Sequence, residues 1–281
     1  MTLTIDIEPL SPVLGAAVRG GIDLSQPIDA GTADRLRETF ARYGVLCFPG
    51  QTISAQDQAR FAALFGPVDA GFRDRSGKGG EDVRNRGVML VSNIRKNGVP
   101  VGSLPDGDMQ FHSDGAHRAR PYRATTLYAI KIPSRGGETL FANLTAAYDA
   151  LGDGMKAKLE RAEVRNIYDY DATHRNDAKE EDNANSVATH ALVKTHPDTG
   201  RKALYLNRLM TRYIVGMDRA ESDALLADLF DHIEKPEFIY AHSWTPGDLL
   251  IWDNRCLNHA RNDFPAEETR LLRRYTISEE E

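Results

Sequence analysis

Apolar residues at helical spacing, Leu36, Phe40 and Tyr43, predict an amphipathic helix over residues 32–43 that stops at Gly44. A second helix is signalled by Ser54-Ala55-Gln56-Asp57, close to a capping box. It buries Phe61, Leu64 and Phe65 and ends at Gly66-Pro67. Between the two, the apolar run 45–48 closed by Pro49-Gly50 predicts a short strand. Further on, Asp218 with Glu221 caps a helix whose Leu225, Leu226, Leu229, Phe230 and Ile233 form one stripe. Shorter helices are expected over 145–151 and 154–162.

The remaining pattern is strand-like. Strands are expected over 125–132 and 138–142, joined by Pro133-Ser134-Arg135-Gly136-Gly137, and over 237–242, 249–252 and 271–277. A hairpin is expected from 191–195 and 203–206 across Pro197-Asp198-Thr199-Gly200. Residues 69–86 and 95–108 read as loops, the second delivering the chain to His112. Residues 169–186 are too polar to pack as core, which suits a mobile lid or a solvated loop. Many short strands and a few helices imply a mostly β fold with flanking helices around a double-stranded β-helix (jelly roll) core. With no repeat or linker, residues 1–281 are read as one domain. A doubly wound α/β fold is disfavoured, because Gly77-Lys78-Gly79-Gly80 lies in a loop without phosphate-binding spacing.

Composition narrows the function. Lys plus Arg is 35 and Asp plus Glu is 41, so 35 − 41 leaves a formal charge of −6. That mild acidity, without a basic tail, argues against nucleic acid as a partner. The two cysteines, Cys47 and Cys256, lie in apolar runs and read as buried free thiols. The N-terminus has no signal-peptide pattern and no apolar run approaches membrane-spanning length. A soluble cytoplasmic protein is the expectation.

The candidate chemistry lies in His112-Ser113-Asp114, then His259, then Arg270. In an extended segment a His-x-Asp pair puts both side chains on one face, with Cα atoms roughly 6–7 Å apart. Two imidazoles and one carboxylate make the facial triad that suits non-haem Fe(II) and leaves its other face open. Arg270 offers a planar fork for a carboxylate. An open iron beside an anion clamp is what a 2-oxo-acid cosubstrate needs. A lone His-x-Asp is weak evidence, but here it has company. Thr139, closing Gly136-Gly137-Glu138-Thr139, stands 27 residues after His112, and Trp252-Asp253-Asn254-Arg255 precedes His259. Arg270 and Arg274 follow His259 by 11 and 15 residues.

With these motifs the chain resembles the taurine dioxygenase and 2,4-dichlorophenoxyacetate dioxygenase family of Fe(II)/2-oxoglutarate oxygenases. The resemblance runs from Gly20-Gly21-Ile22-Asp23-Leu24 through Phe65-Gly66-Pro67 to residues 270–276. It implies that His112, Asp114 and His259 hold Fe(II). It also implies that Thr139 and Arg270 hold 2-oxoglutarate, and that Arg274 reaches toward an acidic substrate. O2 would be the co-reactant, succinate and CO2 the coproducts, and a homo-oligomer the assembly. Halogenases of this chemistry replace the carboxylate with a small residue. Asp114 therefore favours hydroxylation.

Substrate residues are less defined. Asp108 stands four residues before His112, where the taurine enzyme has an asparagine, and Arg73 or Arg75 can meet an anion. A small anionic substrate, carboxylate or sulfonate, is expected. The rivals are another metal-dependent β-helix enzyme (isomerase or hydrolase) and a non-catalytic 2-oxoglutarate or metal sensor. The other histidines, His117, His174, His190, His196, His232 and His242, are read as structural, pocket or surface residues.

Overall fold

The structure is a computed structural model and describes residues 5–69, 88–97, 99–100, 102, 107–168, 173–175 and 187–279. The expected lid, 169–186, lies outside the described residues except for 173–175. Arg73 and Arg75 lie outside them altogether.

Among the described residues a seven-stranded sheet runs in the order Asp6–Pro9, Ala16–Arg19, Val45–Phe48, Leu249–Asp253, Tyr122–Lys131, Leu271–Ser278 and Met89–Ser92. A four-stranded sheet runs Ile239–His242, Thr139–Asn143, Leu257–Arg261 and Met109–His112. Every pairing in both sheets is antiparallel except Ala16–Arg19 with Val45–Phe48. Two such sheets with apolar inner faces make the jelly-roll core, with helices outside.

Alternation decides which side chains face which layer. Leu250, Trp252, Leu127, Ala129 and Leu272 pack inward with Phe141 and Leu257 of the smaller sheet. Their neighbours Leu249, Ile251, Tyr275 and Ile277 face outward onto Leu36, Phe40, Phe61 and Phe65. Those four residues belong to or follow helices Ala30–Tyr43 and Ala55–Ala62. The first helix is capped by Asp29, which accepts from Thr32 N, and ends at Gly44 with φ 71°. There the Gly44 N–H donates to Phe40 O. The second starts on a true capping box, Ser54 with Asp57.

Helix Arg219–Ile233 buries the expected stripe, Leu225, Leu226, Leu229, Phe230 and Ile233. It covers a separate apolar cluster with Leu144, Val164 and Leu204. The cluster includes a small sheet, Val187–Ala191, Glu163–Ile167 and Thr211–Ile214, that the sequence pattern had not revealed. The opening hairpin Asp6–Pro9/Ala16–Arg19 and strand Leu257–Arg261 were likewise unforeseen. The last is the one that carries His259.

Candidate metal and cosubstrate site

His112 is the last residue of its strand and pairs in register with His259 on the next strand. Side chains directly opposite in an antiparallel pair share a face, and the two imidazole centroids are 4.1 Å apart. Asp114 does not continue the strand. The chain turns after His112, and Gly115 adopts φ +77°, where an added Cβ would lie 2.9 Å from Tyr122 Cδ2. The turn, rather than strand alternation, brings the carboxylate beside both rings. His112 Nε2 is 4.0 Å from Asp114 Oδ1, and His259 Nε2 is 3.9 Å from Asp114 Oδ2. One ligand atom from each residue lies within 4.8 Å of the others, and all three residues are buried.

These groups are set up as ligands. His112 Nδ1 donates to Gln110 O at 3.0 Å, which leaves Nε2 as the lone-pair nitrogen facing Asp114. Burial lowers the pKa of His112 against the opposing pull of Asp114, and burial together with His112 lowers that of His259 further. For Asp114 the upward push of burial is outweighed by Arg274, both histidines and the Thr125 hydroxyl, so its carboxyl is held below the usual range. Neutral imidazoles and an ionised carboxylate are the protonation states a divalent metal requires. His259 is held by packing against Trp252 and Phe141, with centroids at 4.8 and 6.4 Å. A two-nitrogen, one-oxygen donor set fits Fe(II) with positions left over.

Leu272 and Arg274 alternate onto the inward face of strand Leu271–Ser278, and Arg270 immediately precedes that strand. Arg270 is 2% exposed, yet it meets no carboxylate among the described residues. Its Nη2 donates to Gly137 O at 3.3 Å and its Nε has no hydrogen-bond partner. Burial and the nearby Arg261 lower its pKa to about 9. A buried cation this poorly satisfied is costly unless an anion completes it. Thr139 is buried as well. Its Oγ1 accepts from Trp244 Nε1 at 3.0 Å; an indole can only donate, so the Thr139 hydroxyl proton remains available for an anion. Arg261 pairs across the sheet with Thr139, is 7% exposed and adds positive charge near both Arg270 and His112. Nothing in the local sequence singled it out, because its neighbours in space come from distant strands.

Arg274 reaches the metal side, where its Nη2 is 2.9 Å from Asp114 Oδ1 and its Nη1 donates to Met89 Sδ at 3.6 Å. His117 is buried beside the same groups and packs on Tyr168 at 5.0 Å between centroids. Burial, then Arg118, lowers its pKa to about 4. Asp108 is not brought into this group: it is exposed, with Oδ1 3.1 Å from His174 Nε2.

Among the described residues two other histidine clusters have ligand-like spacing, Cys47/His242/Asp248 and His196/Asp253/Cys256. In both the imidazole is already engaged. His242 bonds Asp248 and Tyr240, and His196 bonds Asp253 while accepting from Asp198 N. They serve as buried polar struts. His190 and His232 likewise donate to Arg118 O and Ala147 O.

Residues 6–276 match the profile of the family described as "Taurine catabolism dioxygenase TauD, TfdA family". The chain is 33% identical over 281 residues to the (S)-phenoxypropionate/alpha-ketoglutarate-dioxygenase of Sphingobium herbicidovorans, covering 97% of this chain and 94% of that protein. Identity is 31% over 291 residues to the alpha-ketoglutarate-dependent 2,4-dichlorophenoxyacetate dioxygenase of Cupriavidus pinatubonensis, covering 98% of each. Among solved structures, AAD-2 in complex with Mn(II) and N-oxalylglycine superposes with TM-score 0.81 at 31% identity, covering 99% of both chains. A taurine dioxygenase from Burkholderia xenovorans superposes with TM-score 0.81 at 27% identity, covering 98% of this chain and 91% of that one.

Proposed function

This chain belongs to the TauD/TfdA family and is an Fe(II)/2-oxoglutarate-dependent dioxygenase, and from that premise we propose how its own residues divide the work. His112, Asp114 and His259 hold the iron on one face. Arg270 takes the distal carboxylate of 2-oxoglutarate in its fork, and the Thr139 hydroxyl donates to the same group. Arg274 binds the anionic head of the substrate at the metal's open side. When bound, the iron couples reduction of O2 to oxidative decarboxylation of 2-oxoglutarate and to insertion of one oxygen into a substrate C–H bond. The protein fixes geometry and keeps water out.

The observation that carries the cosubstrate assignment is Arg270, buried at 2% exposure with, among the described residues, only a long side-chain bond to Gly137 O. An isomerase needs no cosubstrate clamp, so Arg270 together with Thr139 counts against that rival. The primary substrate in this reading is a small organic carboxylic acid. Two similar proteins are named for phenoxypropionate and 2,4-dichlorophenoxyacetate, both carboxylates bearing an ether oxygen. Hydroxylation at the carbon bearing such an oxygen gives a hemiacetal, which breaks down to a phenol and a carbonyl acid. A reducing compartment such as the cytoplasm suits the free thiols Cys47 and Cys256. Among the described residues no helix is long and apolar enough to cross a membrane.

Succinate release is the test, with Fe(II), O2, 2-oxoglutarate and a panel of aryloxyalkanoates, alkyl sulfates and sulfonates. The expected result is substrate-stimulated succinate with the carboxylates. His112→Ala and Asp114→Ala should abolish it with unchanged circular dichroism. Wild-type turnover in either variant would remove the metal assignment.

A further inference from the structure

The geometry points to Thr125 and Asn254 as positioning residues that hold the Asp114 carboxylate turned toward the two imidazoles, so that the metal meets a preset ligand. The inference rests on Asp114 being a metal ligand, as proposed above. A directed chain of hydrogen bonds carries it. Trp252 Nε1 donates to Asn254 Oδ1 at 3.0 Å. An indole N–H cannot accept, so this contact decides which way the amide faces. The Asn254 Nδ2 group is thereby aimed at Thr125 Oγ1, 3.0 Å away. With its oxygen accepting there, Thr125 has its own proton free for Asp114 Oδ2, at 2.7 Å. Every step has one polarity, and the chain ends on a group that can only accept while ionised.

Water cannot substitute in this chain. Trp252 is 1% exposed, Asn254 and Thr125 0%, and Asp114 4%. Asn254 also grips the ligand segment a second time, since Ser113 Oγ donates to its backbone oxygen at 2.8 Å. Its own N–H is fixed on Arg123 O at 2.9 Å. The indole that starts the chain also packs on His259 at 4.8 Å. One aromatic side chain thus supports one ligand by packing and orients another through two intermediates. Strand alternation places Thr125 to receive the amide, because Thr125 pairs in register with Trp252 and shares its inward face. Groups behind a metal ligand set its rotamer and basicity, and their loss costs metal affinity even when the ligand itself remains.

A purely structural role would reduce stability and leave metal binding untouched, which separates the two readings. Co(II) is titrated into the metal-free full-length protein and its visible absorption bands are followed, alongside thermal melting without metal. Thr125→Val removes the donor at nearly constant volume, and we expect Co(II) affinity to fall on the order of tenfold to a hundredfold, with altered bands. Thr125→Ser keeps the hydroxyl and should bind within a few-fold of wild type. Asn254→Leu touches no ligand side chain yet should match Thr125→Val, and the double variant should be no weaker than either single. If Thr125→Val does not fold, Thr125→Ala replaces it with the same expectation. Wild-type Co(II) binding in folded Thr125→Val or Thr125→Ala, or losses that add in the double variant, would overturn the proposal and leave the metal assignment standing. Failure of the wild type to bind Co(II) would overturn both.

Discussion

His112 and His259 stand directly opposite each other in an antiparallel pair, with imidazole centroids 4.1 Å apart. The spacing of the two imidazoles is therefore a property of sheet register. A slip of one residue would send one ring to the opposite face. The Asp114 carboxylate depends on a different device, the turn at Gly115, where a Cβ would meet Tyr122 N at 3.0 Å. The site thus needs both a correct ladder and one left-handed glycine.

Arg270→Ala should raise the 2-oxoglutarate requirement and spare that for the primary substrate, and Arg274→Ala should do the reverse. A charge-assisted pair is worth about 1.5–3 kcal/mol, which converts to roughly a tenfold to hundredfold rise in KM. Steady-state kinetics with each component varied in turn decides it. If Arg270→Ala moved the primary-substrate KM and left the cosubstrate KM alone, the two arginines would have to exchange roles.

Gly137 has φ +71°, and a Cβ there would lie 3.2 Å from Arg270 Nε. The two-glycine turn serves to seat the arginine. Gly137→Ala should cost about 1–2 kcal/mol from backbone strain alone and also raise the 2-oxoglutarate KM through the displaced guanidinium. A variant with lowered Tm but unchanged cosubstrate KM would separate the turn from the site.

Asp253 is buried between His196, at 3.0 Å, and Arg255, which binds it through both oxygens. Burial pushes its carboxyl up, but the Arg255 and His196 contacts prevail and lower it from an ordinary 3.8 to about 2. Because the folded value is the lower one, its stabilising contribution is complete above about pH 4 and is lost as pH falls to 2. The amount is about 2 kcal/mol. Urea unfolding of the wild type and Asp253→Asn across this window should show a steeper acid loss in the wild type. Parallel curves would contradict the assignment.

Local signals carried much of this fold. The Ser54/Asp57 capping box, the Gly44 stop and the Leu225 to Ile233 stripe were all legible because caps and helical faces are written within a few residues. His112, Asp114, His259 and Arg270 stood out by residue type and spacing, and the fold brings the first three into one cluster. Strand Leu257–Arg261 did not, because Asn258, His259 and Arg261 break the apolar alternation and are buried by tertiary partners. Asn258 donates to Leu206 O and Arg261 bonds Gly107 O. Thr125 was equally hidden. It lies 11 residues from Asp114 in an ordinary strand, and only the fold reveals that its hydroxyl meets that carboxylate. Asp108 shows the converse, a residue close in sequence to His112 that the fold leaves exposed and against His174 rather than beside the histidine pair.

The central claim is that one buried site holds Fe(II) and 2-oxoglutarate together, and the most direct measurement is the visible absorption of the protein on anaerobic addition of both. A keto acid chelating Fe(II) on the open face of two histidines and one aspartate gives a metal-to-ligand charge-transfer band. The expected result is that band in the wild type, its loss in Asp114→Ala, and its recovery only at higher 2-oxoglutarate in Arg270→Ala. No band in folded wild-type protein saturated with Fe(II) and 2-oxoglutarate would contradict the assignment.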